Sequence, residues 1–158
     1  MIISSFESAL ATQVVLVGFI PMLMDTGGNS GSQTSATIIR SISLGDIEFS
    51  DLFSILWKEL RVAVLCGLSL AAVNFVKVMV VDRMLLGNTD ISFTVAAVVC
   101  LTLALTVLAA KLMGCILPML AEKIGFDPAV MASPFITTIV DAISLLVYFA
   151  LATSILHI

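Results

Sequence analysis

One acidic residue lies alone in a long apolar run. From Pro134 to Leu156 the sequence reads PFITTIVDAISLLVYFALATSIL, and Asp141 is its only formal charge. Runs of ~20 apolar residues cross a bilayer as a helix. A carboxylate at that depth costs roughly 2.5–3.5 kcal/mol on insertion scales, so it faces a protein interior or a watery path. Its natural counter-charge is a cation. At about 100° per residue, Ser133, Thr137, Asp141, Ser144 and Tyr148 share one stripe of a helix. Phe135, Ile136, Ile139, Val140, Ile143, Leu145, Leu146 and Val147 fill the other faces. Such a stripe reads either as a pore wall or as hydrogen-bonding glue between helices. The carboxylate favours the pore wall.

Oxygen groups of this kind suit hard cations. Mg²⁺ takes oxygen ligands and dehydrates reluctantly, so a carboxylate with flanking hydroxyls fits a hydrated ion. Pro134 has no N–H, and the carbonyl of Val130 is expected to lose its helical partner and open toward the ion. One carboxylate is little charge for a divalent ion, and a symmetric dimer would bring two to one axis. A second constellation is DTGGNSGSQTSAT over residues 25–37. Gly27, Gly31 and Ser35 recur every fourth position, as do Gly28, Ser32 and Ala36. Small residues at that spacing let helices approach closely. Alternatively, Gly27-Gly28 breaks the helix and exposes backbone groups to a protected path. No Gly-Lys-Ser/Thr follows, so a nucleotide-phosphate loop is not supported.

Acidic residues collect between these elements: Asp46, Glu48, Asp51, Glu59, Glu122 and Asp127. Most read as a solvated face beside the membrane. Glu59 and Asp127 lie nearest helix starts and are candidates for a pore mouth, although Lys58-Glu59-Leu60-Arg61 is equally a local ion-pairing run. Lys111 is an intramembrane cation without an evident role.

The elements that must position these groups follow from composition. Of 158 residues, 60% are hydrophobic and 11% charged, against about 25% charged in soluble domains. This is an integral membrane protein. The net charge of −4 and the lack of a basic patch argue against nucleic acid. Cys66, Cys100 and Cys115 lie in apolar stretches without CxxC spacing and read as packing residues. The sequence predicts an all-α transmembrane bundle of four segments, about 8–42, 56–81, 91–120 and 128–156, in a single pore domain over 1–158. The first segment is expected to be kinked or broken near Gly27-Gly28. Asp46 through Phe53 is expected to form a short amphipathic interfacial helix. Arg40, Lys58, Arg61 and Lys123 flank the 43–54 and 121–128 connections, whereas Lys77 and Arg83 mark the other end. The positive-inside rule puts the first side in the cytoplasm. The chain enters membrane-like sequence almost at once, as expected if a preceding helix lay upstream.

Two motifs now carry a resemblance. PMLMDTGGNSGSQTSATIIRSIS (21–43) presents Pro21, Gly27, Gly28, Asn29, Gly31 and Gln33, and DPAVMASPFITTIVDAISLLVYF (127–149) presents Asp127, Pro134, Thr137 and Asp141. Together they resemble the membrane domain of MgtE-type magnesium channels across essentially the whole chain. The resemblance implies a plasma-membrane homodimer with a pore on its two-fold axis, lined by the first and last segments. It puts the ion-recognising aspartate at Asp141, with Ser133 and Thr137 helping to hold hydrated Mg²⁺, and an acidic cytoplasmic position at Asp127. Ser144, Pro134 and the glycine motif are expected to line the pore or pack the helices. It also implies five membrane helices and cytoplasmic sensor domains, of which the first helix and the sensors are missing here. The leading reading is passive conduction of Mg²⁺ and other divalent cations, with Mg²⁺ as the transported ion. A proton-coupled cation transporter and a noncatalytic membrane scaffold remain open. An enzyme is not supported, since no nucleophile–base pairing has a plausible geometry.

Overall fold

The structure, a computed structural model, describes residues 3, 6, 14–131 and 133–157, with Ser133 described in its backbone alone. Residues 8–12 and 13 of the expected first segment lie outside the described residues. A 3-10 helix over Val14–Phe19 runs into α1, Ile20–Ser43. Pro21 stands in the first turn of α1, where its missing N–H breaks no bond. Helix α2 covers Leu52–Lys77 and continues as a π-helix over Val78–Leu85. Helix α3 covers Phe93–Lys123 and α4 covers Ser133–Leu156, the latter preceded by a 3-10 turn at Pro128–Met131. The Ser92 side chain accepts a bond from the Val95 N–H at 3.1 Å and caps α3. Just beyond α1, the π-helix and α3, the chain turns at Gly45, Gly87 and Gly125, each with φ near +70° to +80° (72°, 68° and 79°). A residue with a Cβ is strained there, and glycine is not.

Helix α3 is the axis of the bundle. It packs against α1, α2 and α4, while α1 also packs along α4. The burial pattern agrees: α3 buries residues on every turn, from Val95 to Ala121. Helix α2 lies at the rim. It buries Ala63, Gly67 and Asn74 and leaves Leu65, Leu68 and Val73 exposed. Apolar side chains turned outward are what a lipid-facing helix requires. One cluster of Leu16, Leu23, Val99, Tyr148 and Phe149 packs one end of the bundle, and Ile38, Cys115 and Met119 pack the other. Phe49–Leu85, Phe93–Lys123 and Pro134–Leu156 are long and apolar enough to cross a membrane. Helix α1, with 24 residues, is about 36 Å long, and its small polar face is sheltered by α3 and α4.

Two expectations need correction. The first segment is not broken at Gly27-Gly28; α1 is continuous helix through both. Those glycines serve close approach instead. A Cβ at Gly27 would come within 2.6 Å of Thr106 Cγ2, and one at Gly31 within 2.8 Å of Ile136 Cγ2. Asp46–Phe53 does not form a separate interfacial helix, because the chain makes only a 3-10 turn at Phe49–Asp51 before α2 begins. Asp51 Oδ2 accepts from the Glu48 N–H at 3.0 Å and helps to start that turn. Pro134 sits in the first turn of α4, near a helix start as the sequence has it, and Val130 belongs to the preceding 3-10 turn.

Candidate cation site

Helix α1 presents Met24, Asp25, Gly28 and Asn29 to a cavity of about 210 Å³ that α4 closes with Thr137 and Asp141. Residues 25, 28 and 29 are spaced i, i+3, i+4, which places them on one helix face. Gly28 is what lets the two helices meet there. A Cβ in its place would lie 2.9 Å from Thr137 Cγ2, too close for α4 to hold its position. One turn further on, Ser32 Oγ and Thr137 Oγ1 are 3.4 Å apart, and Ser35 Oγ donates to the Met131 carbonyl at 2.9 Å. These bonds fix the register of α4 against α1.

Asp141 Oδ1 is buried without a hydrogen-bond partner among the described residues. A buried, unpaired acceptor costs about 1–3 kcal/mol, and more when it is charged. That cost is recovered when a cation or its water shell supplies the missing donor. The cavity, about 210 Å³ and open on one side, has room for several waters, and so for an ion that keeps its hydration shell. Among the described residues no group of three His, Cys, Asp or Glu side chains gathers to form a direct metal cage.

The polar stripe of α4 divides. Thr137 and Asp141 line the cavity. Ser144 and Tyr148 do not face it and are buried, because the start of α1 and the 3-10 turn before it cover that end of the helix. Ser144 Oγ donates to the Val140 carbonyl at 2.7 Å, and the Tyr148 hydroxyl donates to the Leu16 carbonyl at 2.9 Å. The packing role therefore holds for this half. The Ser133 side chain lies outside the described residues. Asn29 is in the cavity wall, whereas Gly27 and Gly31 pack helices and Pro21 and Gln33 stand exposed on α1.

Two other expected site residues are placed elsewhere. Asp127 is exposed before α4, where its Oδ1 accepts from the Ala129 N–H at 2.9 Å. Glu59 points to Lys111, 3.5 Å away, and Lys111 Nζ also donates to Thr34 Oγ1 at 3.2 Å. Neither lines the Asp141 cavity. The residue that the sequence reading passed over is Asp25. Its signal was the i, i+3, i+4, i+7 spacing of Asp25, Gly28, Asn29 and Ser32, which is invisible once a break is placed at Gly27-Gly28. A larger cavity of about 610 Å³ lies between the start of α1 and the π-helix, but its two facing charges, Lys77 and Asp82, already pair at 2.8 Å.

Residues 20–151, which include all of α1 and every cavity-lining residue of α4, match the MgtE family, described as a divalent cation transporter. The chain belongs to the MgtE family. It is 35% identical to the magnesium transporter MgtE of Bacillus subtilis over 156 residues, covering 99% of this chain and 33% of that protein. To the Enterococcus faecalis magnesium transporter MgtE it is 37% identical over 153 residues, 96% of this chain and 32% of that protein. To its Thermus thermophilus counterpart it is 34% identical over 156 residues, 99% of this chain and 33% of that protein. The chain thus spans about a third of the length of these relatives. Members of the MgtE family are transporters rather than enzymes, and the apolar helices here make this one a multi-pass membrane protein.

Proposed function

We propose that this chain is a pore domain that conducts Mg²⁺ passively across the plasma membrane, and that Asp141 recognises the ion through its water shell. The observation that carries this reading is the unpartnered, buried Asp141 oxygen beside a cavity with room for a hydrated ion. Mg²⁺ keeps several waters when it binds through one or two carboxylates. Asp141 and Asp25 supply those carboxylates, and the Thr137 hydroxyl and Asn29 amide bond to the shell. Asp25, Asn29 and Gln33 all lie on the exposed side of α1. A homodimer joined along this face doubles the carboxylates around one axis and gives the ion a protein wall on every side. Asp127, with the backbone at Ser133, lies at the cytoplasmic mouth and raises the local cation concentration. Other divalent cations are admitted in so far as they keep their water.

The test is Mg²⁺ flux into liposomes containing the purified chain. Flux should run down the Mg²⁺ gradient alone and fall at least tenfold in Asp141→Asn, with dimer content unchanged. Flux that requires or creates a pH gradient would instead identify a proton-coupled exchanger. Flux equal to the parent's in folded Asp141→Asn would place recognition elsewhere.

A further inference from the structure

Lys111 is a cation inside a membrane helix next to the helix that carries half of the cation site. Its Nζ lies 3.5 Å from Glu59 Oε2 on α2 and 3.2 Å from Thr34 Oγ1 on α1. Both partners of the pair are largely covered, with side-chain exposures of 16% and 18%. The pair stands behind α1 as seen from the Asp141 cavity, since Thr34 is buried while Asp25 and Asn29 on the same helix are exposed. Thr34 is five residues beyond Asn29, about 7.5 Å along the helix. Lys111 is therefore on the order of 10–15 Å from an ion at Asp141.

We infer that Glu59 serves the pore by cancelling Lys111 rather than by meeting the ion, so that the Lys111–Glu59 pair, anchored on Thr34, holds α1 in place without repelling the cation beside it. The inference rests on the cation-path reading above. Close helix contact explains why a lysine is there. Gly114 and Gly31 bring α3 against the α1 backbone one turn from Lys111; a Cβ on Gly114 would strike the Gly31 carbonyl. A long side chain can reach across this junction to tie α1, α2 and α3 together. Its charge is the drawback. At an effective dielectric of ~20, an uncompensated unit charge 10–15 Å from a divalent ion alters occupancy roughly 40- to 270-fold before screening. Glu59 removes that penalty locally. The signs of the single variants follow from the charge that each leaves behind: Glu59→Gln leaves a cation near the ion, and Lys111→Met leaves an anion.

Three accounts separate in one experiment. Glu59→Gln, Lys111→Met and the double variant are reconstituted in liposomes, and Mg²⁺ flux is measured from low to saturating Mg²⁺. Mn²⁺ affinity in detergent is measured alongside by electron paramagnetic resonance. Charge cancellation predicts at least a fivefold loss of flux and affinity in Glu59→Gln. It predicts a lower half-saturating Mg²⁺ in Lys111→Met, and recovery of the double variant to within about threefold of the parent. A double variant that stays as low as Glu59→Gln while folded overturns the inference and makes Glu59 an ion ligand. If all three variants lose function together, the pair is only a brace and the inference is likewise overturned. Should Glu59→Gln fail to fold, Lys111→Met decides the matter, since an unchanged half-saturating Mg²⁺ contradicts it. A parent that neither conducts Mg²⁺ nor binds Mn²⁺ overturns the cation-path reading itself, a result distinct from failure of the double variant to recover.

Discussion

Asp141 and Asp25 differ in what they stand to lose. Asp141 has a buried, unpaired oxygen, whereas Asp25 lies at the open side of the same cavity. Hydrogen bonds to charged groups contribute about 1.5–3 kcal/mol, so Asp141→Asn is expected to weaken Mg²⁺ binding roughly 10- to 100-fold. Asp25→Asn should cost less, about three- to tenfold, and the loss should shrink as salt screens the exposed charge. Isothermal titration of both variants at low and high ionic strength checks the contrast; equal, salt-insensitive losses would contradict it. Asp141→Glu should also impair flux, because its extra methylene takes space from a cavity of about 210 Å³. At the proposed mouth, Asp127→Asn keeps the oxygen that accepts from Ala129 and removes only charge. Its flux deficit should disappear at high salt, as steering by exposed charge does. Persistence of the deficit at high salt would assign Asp127 a direct contact with the ion.

At the scale of elements, the fit of α1 against α3 and α4 depends on missing side chains. Gly114→Ala pushes a methyl into the Gly31 carbonyl and within 3.1 Å of Thr34 Cβ. Overpacking of this kind costs about 1–3 kcal/mol, and a thermal melt in detergent should show it. Gly18→Ala is the control, with nothing within 4 Å of the added atom, and should stay within about 0.5 kcal/mol of the parent. The same elements show what was legible in the sequence. Apolar runs and turn residues located α2, α3 and α4 to within a few residues, because helix length and membrane thickness constrain each other. The lone charge at Asp141 was equally legible. Helix α1 was not read correctly, since paired glycines permit both a break and a close contact, and only the neighbouring helices decide between them. The ion-pair partner of Glu59 was hidden for the same reason: Lys111 is 52 positions away in sequence (111 − 59), and no local pattern announces such a pair. Asp25 was hidden by the supposed break in its own helix.

For the whole molecule, the distribution of apolar surface sets the expected assembly. Helix α2 offers Leu65, Leu68 and Val73 to its surroundings, as suits lipid. The outer face of α1 offers Asp25, Asn29 and Gln33, which does not suit lipid and is the face on which the proposed dimer would join. In a background without Cys66, Cys100 and Cys115, Gln33→Cys should form a disulfide-linked dimer under mild oxidation, and Leu68→Cys should remain monomeric on a denaturing gel. The opposite pattern would put the two-fold axis at α2 and remove Asp141 from it.

The left-handed turns that close the helical runs have a consequence for the host membrane. Gly45, Gly87 and Gly125 follow three of these runs, and His157, with φ of 56°, follows α4. A helix that stops at such a residue does not grow by recruiting the next one, so its length is written into the chain. Hydrophobic mismatch must then be absorbed by tilt or by deformation of the lipid. Tilting α1 against α4 shears the contact at Gly28 and Thr137 that shapes the Asp141 cavity. On the proposed pore reading, bilayer thickness thereby becomes a mechanical input, and acyl-chain length should alter conduction at constant headgroup charge.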